Sequence, residues 1–145
     1  MNEPLTIKVK YHTDIDELKQ ISIGDAIDVR AAENICLKQF EYAQIPLGFS
    51  CKLPEGYCAL LMPRSSTYKK YKIIQPNSPG CIDESYCGNE DLWAMPVIAL
   101  ENTYIPKNER IAQFMIIPKM PTVNFETVDD LQSENRGGFG SSGRL

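Results

Sequence analysis

The sequence predicts an all-β fold, and three observations carry that expectation. Ten prolines are spread from Pro4 to Pro121, which leaves few windows for a long helix. Short runs alternate apolar and polar residues, the period of a half-buried strand. Turn-forming clusters separate these runs, as in PEG around Glu55 and PKNE around Lys107. Many short strands with regular turn signals point to a sandwich or a barrel.

In chain order, LTIKVKY sets Leu5, Ile7, Val9 and Tyr11 on one face of a first strand. The further strand candidates are AIDVRAA, ICLKQF, AQIPLGFSCKL, YCALLMP, MPVIALEN, RIAQFMII and TVNFETV. Two segments read as short helices. TDIDELKQI has room for two turns, and SSTYKKYK opens with serines able to cap it and spaces Tyr68 and Tyr71 by three. No internal repeat or separable linker interrupts the pattern. Residues 1–131 read as one β domain. Residues 132–145, rich in glycine and serine and without periodicity, read as its flexible arm.

At 145 residues, 43% apolar and 23% charged, the chain has the make-up of a folded globular domain. Its net charge of −4 argues against a nucleic-acid groove, which needs a surplus of Lys and Arg to replace counterions. A small anion held by a few local cations and a metal remains compatible. MNEPLTIKVKYHTD shows no signal pattern, and no run reaches the length of a membrane span. The expectation is a cytoplasmic protein without membrane contact. The five cysteines, odd in number and without a Cys-x-x-Cys pair, read as free thiols. Cys81 and Cys87 flank CIDESYC, but no histidine is near to complete a zinc set. His12, the single histidine, reads as a surface residue. An enzyme built from this chain would therefore take a carboxylate as its proton acceptor.

Five stretches ask for chemistry. From Gly138, GFGSSGRL matches the spacing of a phosphate-binding P-loop with Arg144 in the lysine position, but no helix follows to offer its N–H groups, and that reading is set aside. Its ingredients still suit an anion: glycine backbone N–H groups, the hydroxyls of Ser141 and Ser142, the forked cations of Arg136 and Arg144, and Phe139 as a face on which a base can stack. Taken alone, the stretch also reads as a disordered terminus. PRSST places Arg64, Ser65 and Ser66 where a strand meets a helix start, either as a phosphate cradle or as an ordinary serine cap. In NSPGCIDESYCG, Asp83 points away from Ile82 and is either a solvated hairpin residue or a general base. Asp28 in AIDVRA is either the polar face of a strand or a functional carboxylate. In RIAQFMII, Gln113 shares a face with Ile111 and Met115, and either satisfies neighbouring backbone or orients a water.

Taken together and in order, AIDVRA, PRSS, N-x-x-G-x-I-D-x-x-Y-x-G, RIAQ and RGGFGSSG resemble the five motifs of the trimeric dUTP pyrophosphatase (dUTPase) family. The compact RGGFGSSG and the opening IGDAIDVRAAEN are most similar to its Bacillus and phage branch. The resemblance implies a distorted jelly-roll β-barrel, assembled as a homotrimer with active sites at subunit interfaces and the C-terminal arm of one chain closing over a site formed by others. It implies Mg²⁺-dependent hydrolysis of dUTP to dUMP and pyrophosphate, which limits uracil in DNA and supplies dUMP for dTTP synthesis. By position, Asp83 matches the aspartate that activates the attacking water. Gln113 matches a residue near the α-phosphate and that water. Asn77 and the backbone of the hairpin through Gly80 and Ile82 match the uracil pocket, and Tyr86 the ring under the deoxyribose. Arg64, Ser65 and Ser66 match phosphate ligands, and Asp28 an aspartate that holds waters on Mg²⁺. In the arm, Phe139 would stack on the base while Arg136, Ser141 and Ser142 reach the distal phosphates.

Two departures from the family pattern stand out. Arg136 directly precedes Gly137 and Gly138, where the family often reads R-G-x-G-G-F-G, and CGNEDLWAMP is longer than the compact form, with Leu92 and Trp93 of unassigned position. The rival functions are a dCTP deaminase, which shares the fold but needs a catalytic glutamate, and a dUTPase-like regulatory protein that binds nucleotide and signals to a partner. A β domain without any site is the third.

Overall fold

A computed structural model describes residues 3–138. Its strands are β1 Lys8–Tyr11, β2 Ile27–Arg30, β3 Ile35–Leu37, β4 Tyr42–Pro46, β5 Phe49–Lys52, β6 Tyr57–Pro63, β7 Ile73–Ile74, β8 Gly80–Ile82, β9 Ala94–Ala99, β10 Thr103–Ile105 and β11 Arg110–Pro118. One short helix, α1 Thr67–Tyr71, lies between β6 and β7. The larger sheet has the order β2-β11-β6-β8 and the smaller one β4-β9-β7, with the ribbons β1-β5 and β3-β10 beside them. All pairings are antiparallel.

Each sheet gives one face to a common core. Val29, Leu61 and Phe114 come from the larger sheet, Ile45 and Val97 from the smaller, and Phe49 and Ile105 from the ribbons. Side chains of every sheet in one buried cluster make this a layered β fold closed around a single interior. Trp93, immediately before β9, stands at its centre, 5.1 Å from the Phe49 ring and 5.0 Å from that of Phe114 in an edge-on contact. The extra residues of CGNEDLWAMP therefore deliver their tryptophan to the core, while Leu92 stays 40% exposed.

The predicted AQIPLGFSCKL strand is divided between β4 and β5. Gly48 breaks it at φ +80°, and a Cβ there would stand 2.8 Å from Thr13 Cγ2. The predicted turns are present: Tyr57 N–H donates to Pro54 O at 3.1 Å, and Glu109 N–H to Pro106 O at 3.3 Å. TDIDELKQI forms no helix. Its N–H groups are taken by tertiary acceptors, Asp16 N–H by Asn108 Oδ1 and Leu18 N–H by the Tyr11 hydroxyl, both of which replace bonds to its own turn. TVNFETV forms no strand either. Beyond Pro118 the described chain has no regular element, and Met120, Phe125 and Leu131 are 77%, 94% and 82% exposed.

α1 is shorter than SSTYKKYK. Ser66 occupies the N-cap without a side-chain cap bond. Thr67 ties down the start instead, accepting from Arg64 N–H at 2.9 Å and donating to Ile111 O at 2.8 Å. The helix ends on Lys72 at φ 56°, whose N–H closes on Tyr68 O.

Candidate active site

The larger sheet positions nearly all of the candidate residues within the described part of the chain. Its core face carries Ala59, Leu61 and Phe114. Period-2 alternation then turns Cys58, Leu60 and Met62 of β6, and Gln113, Met115 and Ile117 of β11, to the opposite face. Ile111 does not share that face with Gln113. The register between β11 and β2 shifts between Arg110 and Ala112, and this bulge turns Ile111 into the core, where it is fully buried.

One group of candidates gathers at the Pro63 end of β6. Asp28 lies opposite Gln113, which lies opposite Met62. The chain then leaves β6 and brings Arg64 back over β2, where its Nε donates to Asp28 Oδ1 at 3.0 Å. Arg110 Nη1 donates to Asp28 Oδ2 at 3.3 Å. Two guanidinium groups on one half-buried carboxylate leave this locus with a local surplus of positive charge, suited to an anion. Arg64 Nη1 lies 3.4 Å from Ser66 Oγ, and Ser65 is exposed beside it. Gln113 Nε2 donates to Pro63 O at 3.3 Å, which directs its carboxamide along the outer face. Arg110 is a member of this group that the sequence reading missed, although it opens the quoted RIAQ stretch. A cleft of about 410 Å³ adjoins Asp28, Arg30 and Arg110.

A second group surrounds the hairpin that follows β8. Residues 75–78 form a turn, closed by Ser78 N–H on Gln75 O at 3.2 Å, and expose Asn77. β8 then pairs Gly80 with Leu61 and Ile82 with Ala59. Asp83 begins the next turn, which Tyr86 N–H closes by donating to Asp83 O at 3.0 Å. Asp83 is exposed, and among the described residues its carboxylate has no ion-pair or hydrogen-bond partner. Its neighbour Glu84 is engaged elsewhere. Glu84 accepts from Lys119 Nζ at 2.9 Å and from Gly56 N–H at 3.3 Å, and the Lys119 ammonium holds its carboxyl below the usual range. Of these adjacent acids, Asp83 is therefore the one whose carboxylate is unengaged among the described residues.

A cleft of about 290 Å³ opens beside Asp83, lined by Gln44, Cys81, Ile82, Tyr86, Trp93 and Pro96 among others. The Tyr86 hydroxyl donates to Leu92 O at 2.8 Å. The long CGNEDLWAMP segment thus holds the ring of Tyr86 in place. That segment is itself anchored, since buried Ser50 donates to Asn89 O at 2.9 Å and lies 3.0 Å from His12 Nε2. His12 is exposed, as expected of a surface residue, and touches the segment's anchor only through this contact with Ser50. Burial pushes the Cys81 thiol up, with Cys58 and Asp83 adding to the effect, so it stays protonated beside the cleft.

The two groups share a face but not a place in one chain. Gln113 is level with Met62, whereas Asp83 comes one residue past Ile82, which is level with Ala59. Two strand spacings sideways and about four residues lengthwise put them roughly 16 Å apart. The strip between them is apolar, formed by Leu60, Met62, Met115 and Ile117, none of which belongs to the core. Of the arm, Arg136 is exposed, and its Nε lies 3.4 Å from Gly137 O. Phe139, Ser141 and Ser142 lie outside the described residues.

Comparison with known proteins fits this geometry. The dUTPase family model matches residues 15–143. The chain is 49% identical to the SPbeta prophage-derived deoxyuridine 5'-triphosphate nucleotidohydrolase YosS of Bacillus subtilis, over 96% of this chain and 99% of that protein. It is 36% identical to the deoxyuridine 5'-triphosphate nucleotidohydrolase of Fusobacterium nucleatum, over 95% and 97% of the two chains. Among solved structures, the Staphylococcus bacteriophage 80alpha dUTPase with dUPNHPP superposes with a TM-score of 0.80 at 25% identity, covering 96% of this chain and 99% of that one. The chain belongs to the dUTPase family.

Proposed function

We propose that this protein hydrolyses dUTP to dUMP and pyrophosphate, at sites that two or more copies of the chain build together. The observation that carries the reading is the division of the motif residues. A base-sized cleft ends in the unpartnered carboxylate of Asp83, and an arginine-rich locus lies at the far end of the same sheet face. Residues roughly 16 Å apart cannot both attend one phosphorus atom. A second copy, bringing its Asp28, Arg64 and Gln113 to the first copy's Asp83, removes the gap. The apolar strip of Leu60, Met62, Met115 and Ile117 is the surface that such a contact would cover. A homotrimer closes this head-to-tail relation with three equal sites.

Within such a site the uracil lies against Asn77 and the hairpin from Gly80 to Ile82, with the deoxyribose on Tyr86. Asp83 accepts a proton from water as the water oxygen bonds to the α-phosphorus. The bond from that phosphorus to the α–β bridging oxygen breaks, and its electron pair leaves with pyrophosphate. Arg64, Ser65 and Ser66 hold the phosphates, and Gln113 orients the water. This is catalysis by positioning and charge neutralisation, and a base of this kind contributes about 10²–10⁴-fold.

The residues also fit Mg²⁺ brought in by the triphosphate. Among the described residues no cluster of three or more His, Cys, Asp or Glu side chains gathers as a dedicated cage. Mg²⁺ commonly keeps its waters and takes one or two carboxylates. Asp28 would hold those waters through the lone pairs its two arginines leave free. The ion's contribution when bound is to offset phosphate charge. Residues 132–145 serve as the closing arm, with Arg136, Ser141 and Ser142 on the distal phosphates and Phe139 on the base. A cytoplasmic location is part of the same proposal.

The test is turnover of dUTP with Mg²⁺, alongside dTTP, dCTP and UTP, for the unmodified protein and for Asp83→Asn. Selective release of dUMP and pyrophosphate, lost in Asp83→Asn, is the expected result. Tight dUTP binding without turnover, or ammonia from dCTP, would overturn the proposal.

A further inference from the structure

We infer that Gln75, a residue of no motif, is a positioning residue that makes the uracil pocket selective for a 4-oxo over a 4-amino pyrimidine by fixing the amide of Asn77. The inference rests on the reading above that Asn77 borders the base. Gln75 is 6% exposed and follows β7 at the first position of the 75–78 turn. Its Nε2 makes two hydrogen bonds, one to Leu61 O at 3.1 Å and one to Asn77 Oδ1 at 3.2 Å. A backbone carbonyl can only accept, so Leu61 O determines which end of the Gln75 amide faces it. With that end set as nitrogen, its second N–H faces Asn77 and demands an acceptor there. Asn77 must then turn its Oδ1 inward, and its Nδ2 is left as the group offered to a ligand. A Cβ on Gly80 would stand 3.4 Å from that Nδ2 and 3.2 Å from Gln75 Nε2, so glycine at this position leaves the relay room at the mouth of the hairpin.

The chain of demands runs from Leu61 O through Gln75 to Asn77 and ends in a pure donor. A donor fits the 4-oxygen of uracil and meets another donor in the 4-amino group of cytosine. Mispairing buried polar groups is the stronger means of discrimination, because the groups left unpaired are penalised. Gln75 also carries an unsatisfied atom, since its Oε1 is buried with no partner among the described residues. An apolar side chain would avoid that orphan. A residue kept for packing alone has no reason to be a glutamine here, whereas a residue kept for its two N–H groups does.

The experiment compares kcat/KM for dUTP and dCTP in the unmodified protein, Gln75→Leu, Asn77→Ala and the double variant. Gln75→Leu is expected to lower the dUTP:dCTP ratio about tenfold, the weight of roughly one hydrogen bond, mainly through KM. The double variant is expected to match Asn77→Ala alone, because Gln75 acts only through Asn77. An unchanged ratio in Gln75→Leu, with Asn77→Ala still impaired, overturns the role of Gln75. So does an equal loss in both backgrounds, which would mark a packing effect. Asn77→Ala with full selectivity would instead overturn the reading of Asn77 itself. Gln75→Met, similar in length and without the amide, repeats the test should the leucine variant not fold. A crystal structure of the unmodified protein with dUMP gives an independent answer. Asn77 Nδ2 within hydrogen-bond distance of the 4-oxygen supports the relay, and an Asn77 amide turned away from the base overturns it.

Discussion

Glu109 shows how single residues here carry both structure and pH dependence. Its carboxylate accepts from the Tyr71 hydroxyl and from Lys70 Nζ, joining the turn before β11 to the end of α1. Tyr71's hydrogen bond, followed by that of Lys70, holds the Glu109 carboxyl below the usual range. A carboxyl lowered in the folded state adds stability above its unfolded value of about 4.3, and that stability is lost as pH falls through the folded value. Tyr71→Phe should therefore be less stable than the unmodified protein near neutrality. The two should converge in acid when urea unfolding is followed from pH 7 to pH 3, and parallel curves would contradict this. At this scale the motif residues were legible, because Asp28, Arg64, Asp83 and Tyr86 stand in short quoted stretches. Gln75 was not, since a buried glutamine announces itself only by what its amide touches, and the carbonyl that orients it, Leu61 O, belongs to another strand.

At the scale of elements, the sequence pattern was most readable where a strand finds its partner within the chain. YCALLMP and RIAQFMII became the paired β6 and β11. It failed where the deciding contact is tertiary. TDIDELKQI has helical spacing, but Asn108 and Tyr11 take its backbone donors. TVNFETV has strand spacing with no partner strand among the described residues, and Val123, Phe125 and Val128 remain exposed. The break between β4 and β5 makes a sharper point. Gly48 has a positive φ and no room for a Cβ against Thr13, so Gly48→Ala should cost about 1–3 kcal/mol in chemical denaturation. An unchanged midpoint would contradict the contact. In the proposed mechanism the arm is a separate element. Removing residues 136–145 should abolish most dUTP turnover and leave the melting temperature near that of the full chain. Full turnover without them would remove the arm from the mechanism.

For the whole molecule, the fold class was legible from prolines and periodicity, and the family from five motifs in order. The split of those motifs across the sheet was not, because it depends on register. Only the pairing of β11, β6 and β8 puts Asp83 and Gln113 at opposite ends of one face. A sequence places motifs along a line, and nothing in their order says whether they meet within one chain. The apolar strip between them belongs to the same level of organisation, since it is a liability when left exposed and the proposed assembly would cover it.

Mixed assemblies test the proposed shared site. Asp83→Asn and Arg64→Ala are each expected to be inactive on dUTP. Unfolded together in equal amounts and refolded, they should form trimers in which about a quarter of the sites receive an intact Asp83 from one copy and an intact Arg64 from another. Recovery of about a quarter of the unmodified activity is expected in the mixture, and none when either variant is refolded alone. Mixed trimers that remain inactive would place Asp83 and Arg64 in the service of the same chain and contradict it.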